Sequence, residues 1–575
     1  MVPTRLERSL RQLGLPALLA AVFGLCWLRY LSGRWDILLP NRMDWLLVAD
    51  WGAHQTGWLF FRNDSWSWPI GHYTALLYPV GSTVGYSDSI PVLAIIAKLL
   101  SRLLPRDFQY IGPWLGLCFI LQGYWGAKIA GLFWRDGWAR LAGGMLFVTT
   151  PTLLLRVGHP SLCAHWILLA LIWRHLSLVP GRRGLTSAAL LTFLAAAVHP
   201  YLAAMTLVLA LALVVRVKLV DERWSWARAA AVGLALVLVV GLEFWALGYL
   251  GGSARLEGDN FDRYGADVTT LFNSMGYSHL LPALPQAAGA NEGFAYLGGG
   301  LLLLTLAALV LVSPRDLPRA RWRAIAPLGV ASALLAVFAL SPIVRFGGAD
   351  FIHLEWLYKD FLFVVQAFRS SGRFIWPLHY LAITFALGVM GAALRNHPIG
   401  GRVLLGLTLA VQIADLRTKP SRDRFQSSAF VAPSAPAWNL ARGDYDHVAI
   451  YPPQIYTSGC GAVFDERYVY QLGHVAYRLG LTINSGYMAR LNLKDIKAHC
   501  RTFNDDVAAG RLDDRTLYVP RTPQAIPSDK ATCGQLDEYV VCVAKRRTTA
   551  LATALGAAAV PGAAPPPTPP TPAAP

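Results

Sequence analysis

The chain has 575 residues, 55% of them hydrophobic and 15% charged, where a soluble chain carries about 25% charged residues. The formal net charge is +17. Nucleic-acid binding is excluded as the source of that charge, because most Lys and Arg lie in short loops between apolar runs, where they set membrane orientation.

A helix that crosses a bilayer needs about 20 mostly apolar residues. In chain order the candidate spans are 13–31, 110–134, 138–155, 161–179, 185–198, 201–217, 228–250, 294–312, 324–342, 374–394 and 402–416. His199-Pro200 separates the fifth from the sixth, because proline breaks the helical ladder. Residues 1–12 are basic, but no small-residue cleavage site follows the first apolar run, so no cleavable leader is expected. Residues 89–104 are also apolar. They are short and interrupted by Lys98 and Arg102, which predicts an interfacial helix on the outer surface.

With 89–104 on the surface, Arg5, Arg8 and Arg11 share one side with Arg135 and Arg140, Arg182 and Arg183, and the later pair Arg395 and Arg402. That is the positive-inside pattern; counting 89–104 as a span inverts every later loop. The expected fold is mainly α and polytopic, with about eleven transmembrane helices and a cytoplasmic N-terminus. The outer side then holds 32–109, 156–160, 251–293, 343–373 and everything after 416. The expected domains are 1–416 in the membrane, 417–545 as a small periplasmic α/β domain, and 546–575 as a disordered Ala/Pro-rich tail. Short β-like runs at 447–451, 516–519 and 539–542 support the second.

Cys26, Cys118 and Cys163 lie in apolar runs and read as packing. Cys460, Cys500, Cys533 and Cys542 all lie in the C-terminal region, which predicts disulfides and an oxidising compartment. Sequence alone does not decide the connectivity; Cys460–Cys500 with Cys533–Cys542 is the pairing expected here.

Five clusters carry chemistry. Asp50 and His54 are four apart, so a helix places them on one face, with Trp58 and Arg62 following. An interfacial loop in which Asp50 pairs with Arg62 is the plainer alternative. Arg156, His159 and His165 mark an outer helix junction able to take a phosphate or a metal, although no matching Cys/His spacing supports a metal. In the 251–293 loop, Glu257, Asp259, Asp262 and Asp267 read as solvated, whereas Glu292 abuts a span and is followed by Tyr296-Leu-Gly298. Arg369 and Arg373 flank Ser-Ser-Gly at the mouth of a span. Outward-facing Arg there opposes the orientation bias, and its fork of donors matches phosphate oxygens, with headgroup snorkelling as the alternative. Asn484 to Arg490 suits either an acceptor contact or docking. Walker, GxSxG and HExxH motifs are missing.

The combination of Asp50-x3-His54, Gly57-Trp58, Phe61-Arg62, Arg156-x2-His159, Tyr296-Leu-Gly298 and Ser371-Gly372-Arg373-Phe374 resembles the GT-C superfamily of integral-membrane glycosyltransferases, which includes protein O-mannosyltransferases and YfhO-like enzymes. The chain departs from the mannosyltransferases in having Trp51 after the acidic residue, and it has no WWD signature. The resemblance implies a polytopic enzyme of a bacterial inner membrane. It would move a sugar from a polyprenyl-phosphate donor to a cell-envelope acceptor on the periplasmic side. It implies Asp50 as base, His54 as its orienting partner, and Arg369 and Arg373 on the donor phosphate with Arg156 and His159 in support. Arg62, Trp58, His165, Glu292 and Tyr296 would contact acceptor or substrate. A divalent cation is the one cofactor this reading admits. A transporter or flippase of lipid-linked sugars and a non-catalytic envelope assembly protein are the alternatives.

Overall fold

The computed structural model describes residues 14–177, 182–220, 224–250, 262–311, 319–361, 366–426, 430–456, 460 and 462–558. Four helices, Leu15–Ser32, Pro200–Val220, Trp226–Leu247 and Ser371–Ala393, are long and apolar enough to cross a membrane. Gly184–Val198, Gly299–Leu311 and Ala324–Ala339 are shorter apolar helices. On Trp226–Leu247, Leu234, Leu238, Leu242 and Trp245 are all at least half exposed. An apolar exposed face belongs in lipid, not water. The chain is a membrane protein, mainly helical, with a small C-terminal sheet.

The chain divides into two units, described separately below. One consists of the described parts of 1–45, 90–250 and 256–429, the other of those of 46–89 and 430–575.

In the first unit a helix occurs at every predicted span, but some are interrupted. The expected rod at 138–155 is two helices, Gly137–Val148 and Pro151–Arg156. Pro151 has no N–H to continue the ladder, and the carbonyls freed at the break find other donors. The Thr149 hydroxyl donates to the Leu146 carbonyl, and Gln122 and the Thr150 hydroxyl donate to that of Phe147. The stretch at 161–179 narrows to a 3-10 turn, Pro160–Cys163, and an 11-residue helix, Trp166–Leu176. The break at His199 falls where proline predicts it, between Arg182–Val198 and Pro200–Val220. Within 89–104 the helix is Pro91–Leu99. Its nine residues reach only about 14 Å at 1.5 Å each, well short of a bilayer.

Small residues let these helices approach closely, as in membrane bundles generally. A Cβ on Gly24 would stand 2.1 Å from the Phe119 carbonyl oxygen, and one on Gly123 would stand 2.2 Å from that of Ala20. A polar staple joins the helices Gly299–Leu311 and Pro398–Asp415. Asp415 accepts from Gly299 N (2.7 Å), Leu280 N (3.1 Å), the Tyr296 hydroxyl (2.9 Å) and the Ser278 hydroxyl. Gln412 accepts from Leu301 N. Orphan amides at the start of one helix are thus satisfied by side chains of another.

In the second unit five strands, β1 (His447–Tyr451), β2 (Thr482–Ile483), β3 (Thr516–Pro520), β4 (Ala531–Leu536) and β5 (Tyr539–Ala544), order as β2-β1-β3-β5-β4. β1 is parallel to β2 and β3; β5 is antiparallel to β3 and β4. Helices Glu466–Leu479 and Leu493–Ala508 connect them. Both expected disulfides form: Cys460–Cys500 and, across the β4–β5 hairpin, Cys533–Cys542. Residues 46–89 join this unit through the backbone: Ile483 N donates to the Ala75 carbonyl, and Tyr78 N donates to that of Ile483. The tail differs from expectation at Ala550–Ala557, a helix capped by the Thr549 side chain, with Leu551 and Leu555 wholly buried. Residues 559–575 lie outside the described residues.

Candidate functional site

Two glycines set up the polar centre of the first unit. A Cβ on Gly372 would stand 2.7 Å from Gly293 Cα, so only glycine lets these two turns abut. Gly372 N also donates to the Tyr264 carbonyl at 3.0 Å. The contact brings the turn Ala290–Gly293 against Ser371–Ile375 and sets Glu292 beside Arg373.

Glu292 Oε2 accepts from Arg373 Nε at 2.8 Å and from Arg156 Nη1 at 2.9 Å. Arg156 is further fixed by Nη2 donating to the carbonyls of Asn291 (3.1 Å) and Glu292 (2.8 Å), and by stacking 5.2 Å over Trp376. Arg373 lies 4.7 Å over the Tyr201 ring. Side-chain exposure is 5% for Arg156, 10% for Arg373 and 19% for Glu292. Two buried guanidiniums therefore share one carboxylate oxygen. Burial pushes the Glu292 carboxyl up, but Arg373 and Arg156 outweigh it and hold the group well below the usual glutamate range. His159 adds to the same pull.

The break at His199-Pro200 supplies the aromatic wall. Tyr201 sits in the first turn of its helix, and its hydroxyl accepts from Ser370 N at 2.8 Å. His199 accepts from Tyr201 N, and its ring lies 6.1 Å from that of His159. Sequence reasoning missed Tyr201 and treated His199 only as a helix breaker. An aromatic next to a His-Pro break at a span boundary was the available signal.

The other expected residues of this unit fall as follows. Arg369 is half-buried, over the Tyr264 ring at 5.8 Å. His165 is buried against Trp376, ring centroids 4.2 Å apart, with Nδ1 2.7 Å from the Tyr380 hydroxyl. Tyr296 is wholly buried, its hydroxyl donated to Asp415. Asp267, expected to be solvated, is 1% exposed. Its carboxylate accepts from Thr269 N (2.8 Å), Gly347 N (3.1 Å) and Gly348 N (2.8 Å), fixing the turn of the hairpin Ile343–His353. Two backbone amides at a tight turn are an unmet need that a nearby carboxylate fills. Asp262 stays 43% exposed, and Glu257 and Asp259 lie outside the described residues.

In the second unit, Asp50, His54, Trp58 and Arg62 all lie on the helix Ala49–Asn63. Asp50 and His54 therefore share a face, and Asp50 sits in the first turn, where the helix dipole favours an anion. The alternative pairing of Asp50 with Arg62 fails: twelve residues at 1.5 Å put them about 18 Å apart along the axis. Arg62 instead lies over the Trp58 ring at 5.8 Å. His54 and Trp58 are buried, and the Ser89 hydroxyl donates to the His54 carbonyl at 2.7 Å. A ring nitrogen of His54 and a carboxylate oxygen of Asp88 lie within 4.8 Å, donor types that divalent cations accept. Asn484 bonds both the amide and the carbonyl of Ile450, so its side chain serves the sheet.

Residues 20–417 match the family model described as "Domain of unknown function (DUF6311)", and residues 437–544 match the one described as "DUF6311 C-terminal domain". No curated protein matches the sequence. Among solved structures, the archaeal oligosaccharyltransferase AglB from Archaeoglobus fulgidus, in complex with an inhibitory peptide and a dolichol-phosphate, is similar at 10% identity and a TM-score of 0.38. That match covers 82% of this chain, and the chain spans 64% of the length of that structure. The first family model alone covers more than half of the sequence, and the chain belongs to the DUF6311 family.

Proposed function

We propose that this DUF6311 member is a membrane glycosyltransferase of a bacterial inner membrane, with its N-terminus cytoplasmic and its C-terminal domain periplasmic. It moves a sugar from a polyprenyl-phosphate donor to a cell-envelope acceptor on the periplasmic side. The observation that carries this reading is the buried pair of guanidiniums, Arg156 and Arg373, both on the same Glu292 oxygen. Buried charge is costly at a membrane protein's polar centre and marks function there. Its sign suits a phosphate, and Arg supplies matching paired donors.

The reaction needs a base for the acceptor and positive charge for the departing phosphate. The acceptor hydroxyl oxygen attacks the anomeric carbon, and the bond from that carbon to the phosphate oxygen breaks. The acceptor proton passes to Asp50, and the lipid phosphate departs with the bond's electrons. Arg373, Arg156 and Arg369 stabilise it. His54 orients Asp50 or the acceptor. A divalent cation, where the reaction uses one, would be held by His54 and Asp88 and would supply Lewis-acid charge stabilisation. Glu292 is ill-suited as base, because its two guanidinium partners lower its affinity for a proton.

Asp50→Asn should abolish transfer with the melting temperature unchanged; full activity in that variant rejects Asp50 as base. A flippase would place ionisable groups along a mid-span path. Glu243 lies only four residues from the end of the helix Trp226–Leu247, which does not favour that alternative.

A further inference from the structure

The paired guanidiniums already hold an anion of the protein's own. One oxygen, Glu292 Oε2, takes a hydrogen bond from each of Arg156 and Arg373, as an oxygen of a phosphate would. Of the three side chains, Glu292 is the most exposed, so an arriving anion meets it first. Arg156 is fixed from three further directions, by two carbonyls and by Trp376, and keeps its place when the carboxylate leaves. Arg373 is likewise seated on Tyr201. Among the described residues, the carboxylate takes its hydrogen bonds from these two guanidiniums alone.

We propose that Glu292 is an exchangeable counter-ion: it occupies the guanidinium donors when no substrate is bound, yields them to a phosphate group, and reclaims them to expel the phosphate product. This rests on the proposed function for the identity of the product, but not for the exchange itself. Without the carboxylate the cluster would carry two buried positive charges and hold a phosphate too tightly to turn over. Charge-assisted bonds to phosphate are strong, and only a competing anion built into the site weakens them without loss of the donors. A purely structural carboxylate would instead be required for the pocket to exist, and its removal would weaken phosphate binding.

The test uses the full-length chain in nanodiscs, with polyprenyl monophosphate in the bilayer and inorganic phosphate in solution as probes. Glu292→Gln should bind polyprenyl monophosphate at least about tenfold more tightly, with a steeper loss of affinity as salt rises. In turnover, KM and kcat should both fall, the second through slow product release. Tightening for inorganic phosphate to the same degree supports the exchange and assigns the anion to solution, not lipid. Where Glu292→Gln does not fold, Glu292→Asp should still tighten binding, because the shorter carboxylate loses one of its two contacts. Unchanged or weaker affinity for both probes overturns the proposal. Tighter binding in a protein that transfers no sugar leaves the counter-ion standing and removes the glycosyltransferase reading.

Discussion

Arg373 and Glu292 show what a single side chain decides here. Arg373→Ala removes one of the two guanidiniums on Glu292 and, under the proposed function, one donor to the lipid phosphate. Affinity for the lipid donor should fall by about 1.5–3 kcal/mol, typical of a hydrogen bond to a charged group. Unchanged affinity in a lipid-binding titration rejects its phosphate role. Glu292 also predicts an acid sensitivity. Its folded-state pKa is lowered by the two guanidiniums, so its contribution to stability is complete above the ordinary glutamate value of about 4.3. That contribution is lost as pH falls below it. Thermal melts from about pH 6 down to pH 3 should show wild type losing more stability than Glu292→Gln; parallel curves contradict the pairing. The residues of this cluster were legible one at a time, since Arg156, Glu292 and Arg373 each stand out as charge at a span boundary. Their convergence was not, because it depends on two glycines, Gly293 and Gly372, far apart in sequence and touching in space.

Among the elements, the helices were legible from apolar length, and the break at His199 from proline. The interruption at Thr149-Thr150 was not: its freed carbonyls are met by Gln122 and by local hydroxyls, partners that hydropathy does not see. Asp415 makes the same point. At the end of a predicted span it reads as a chain leaving the membrane, yet it is wholly buried and caps another helix. Asp415→Ala strands the Tyr296 hydroxyl and three other donors, and should cost on the order of 3 kcal/mol, read as a lowered melting temperature in detergent. A melt within a degree of wild type contradicts the staple. In the sheet-bearing unit the Cys460–Cys500 bridge closes a loop with a sequence separation of 40. Replacing both residues by Ser should destabilise that unit by about 4 kcal/mol, whereas the short hairpin bridge at Cys533–Cys542 should matter less. Equal losses from the two double variants contradict a loop-length effect.

For the whole molecule, the deficit of charge and the loop arginines identify a membrane protein, and the sense of its insertion rests on those arginines. The proposed function assigns roles to residues from distant parts of the chain: an acid at Asp50, and arginines at Arg156, Arg369 and Arg373. Sequence spacing could nominate each group but carried no information on their joint chemistry. The most direct test is single-turnover release of polyprenyl phosphate from a polyprenyl-phosphate-linked sugar by the purified chain in nanodiscs, in the presence of an envelope glycan acceptor. The account predicts that wild type liberates the lipid phosphate in step with glycosylated acceptor, and that Asp50→Asn binds the donor but liberates none. Donor left intact by a folded wild-type protein, or equal release by Asp50→Asn, would contradict it.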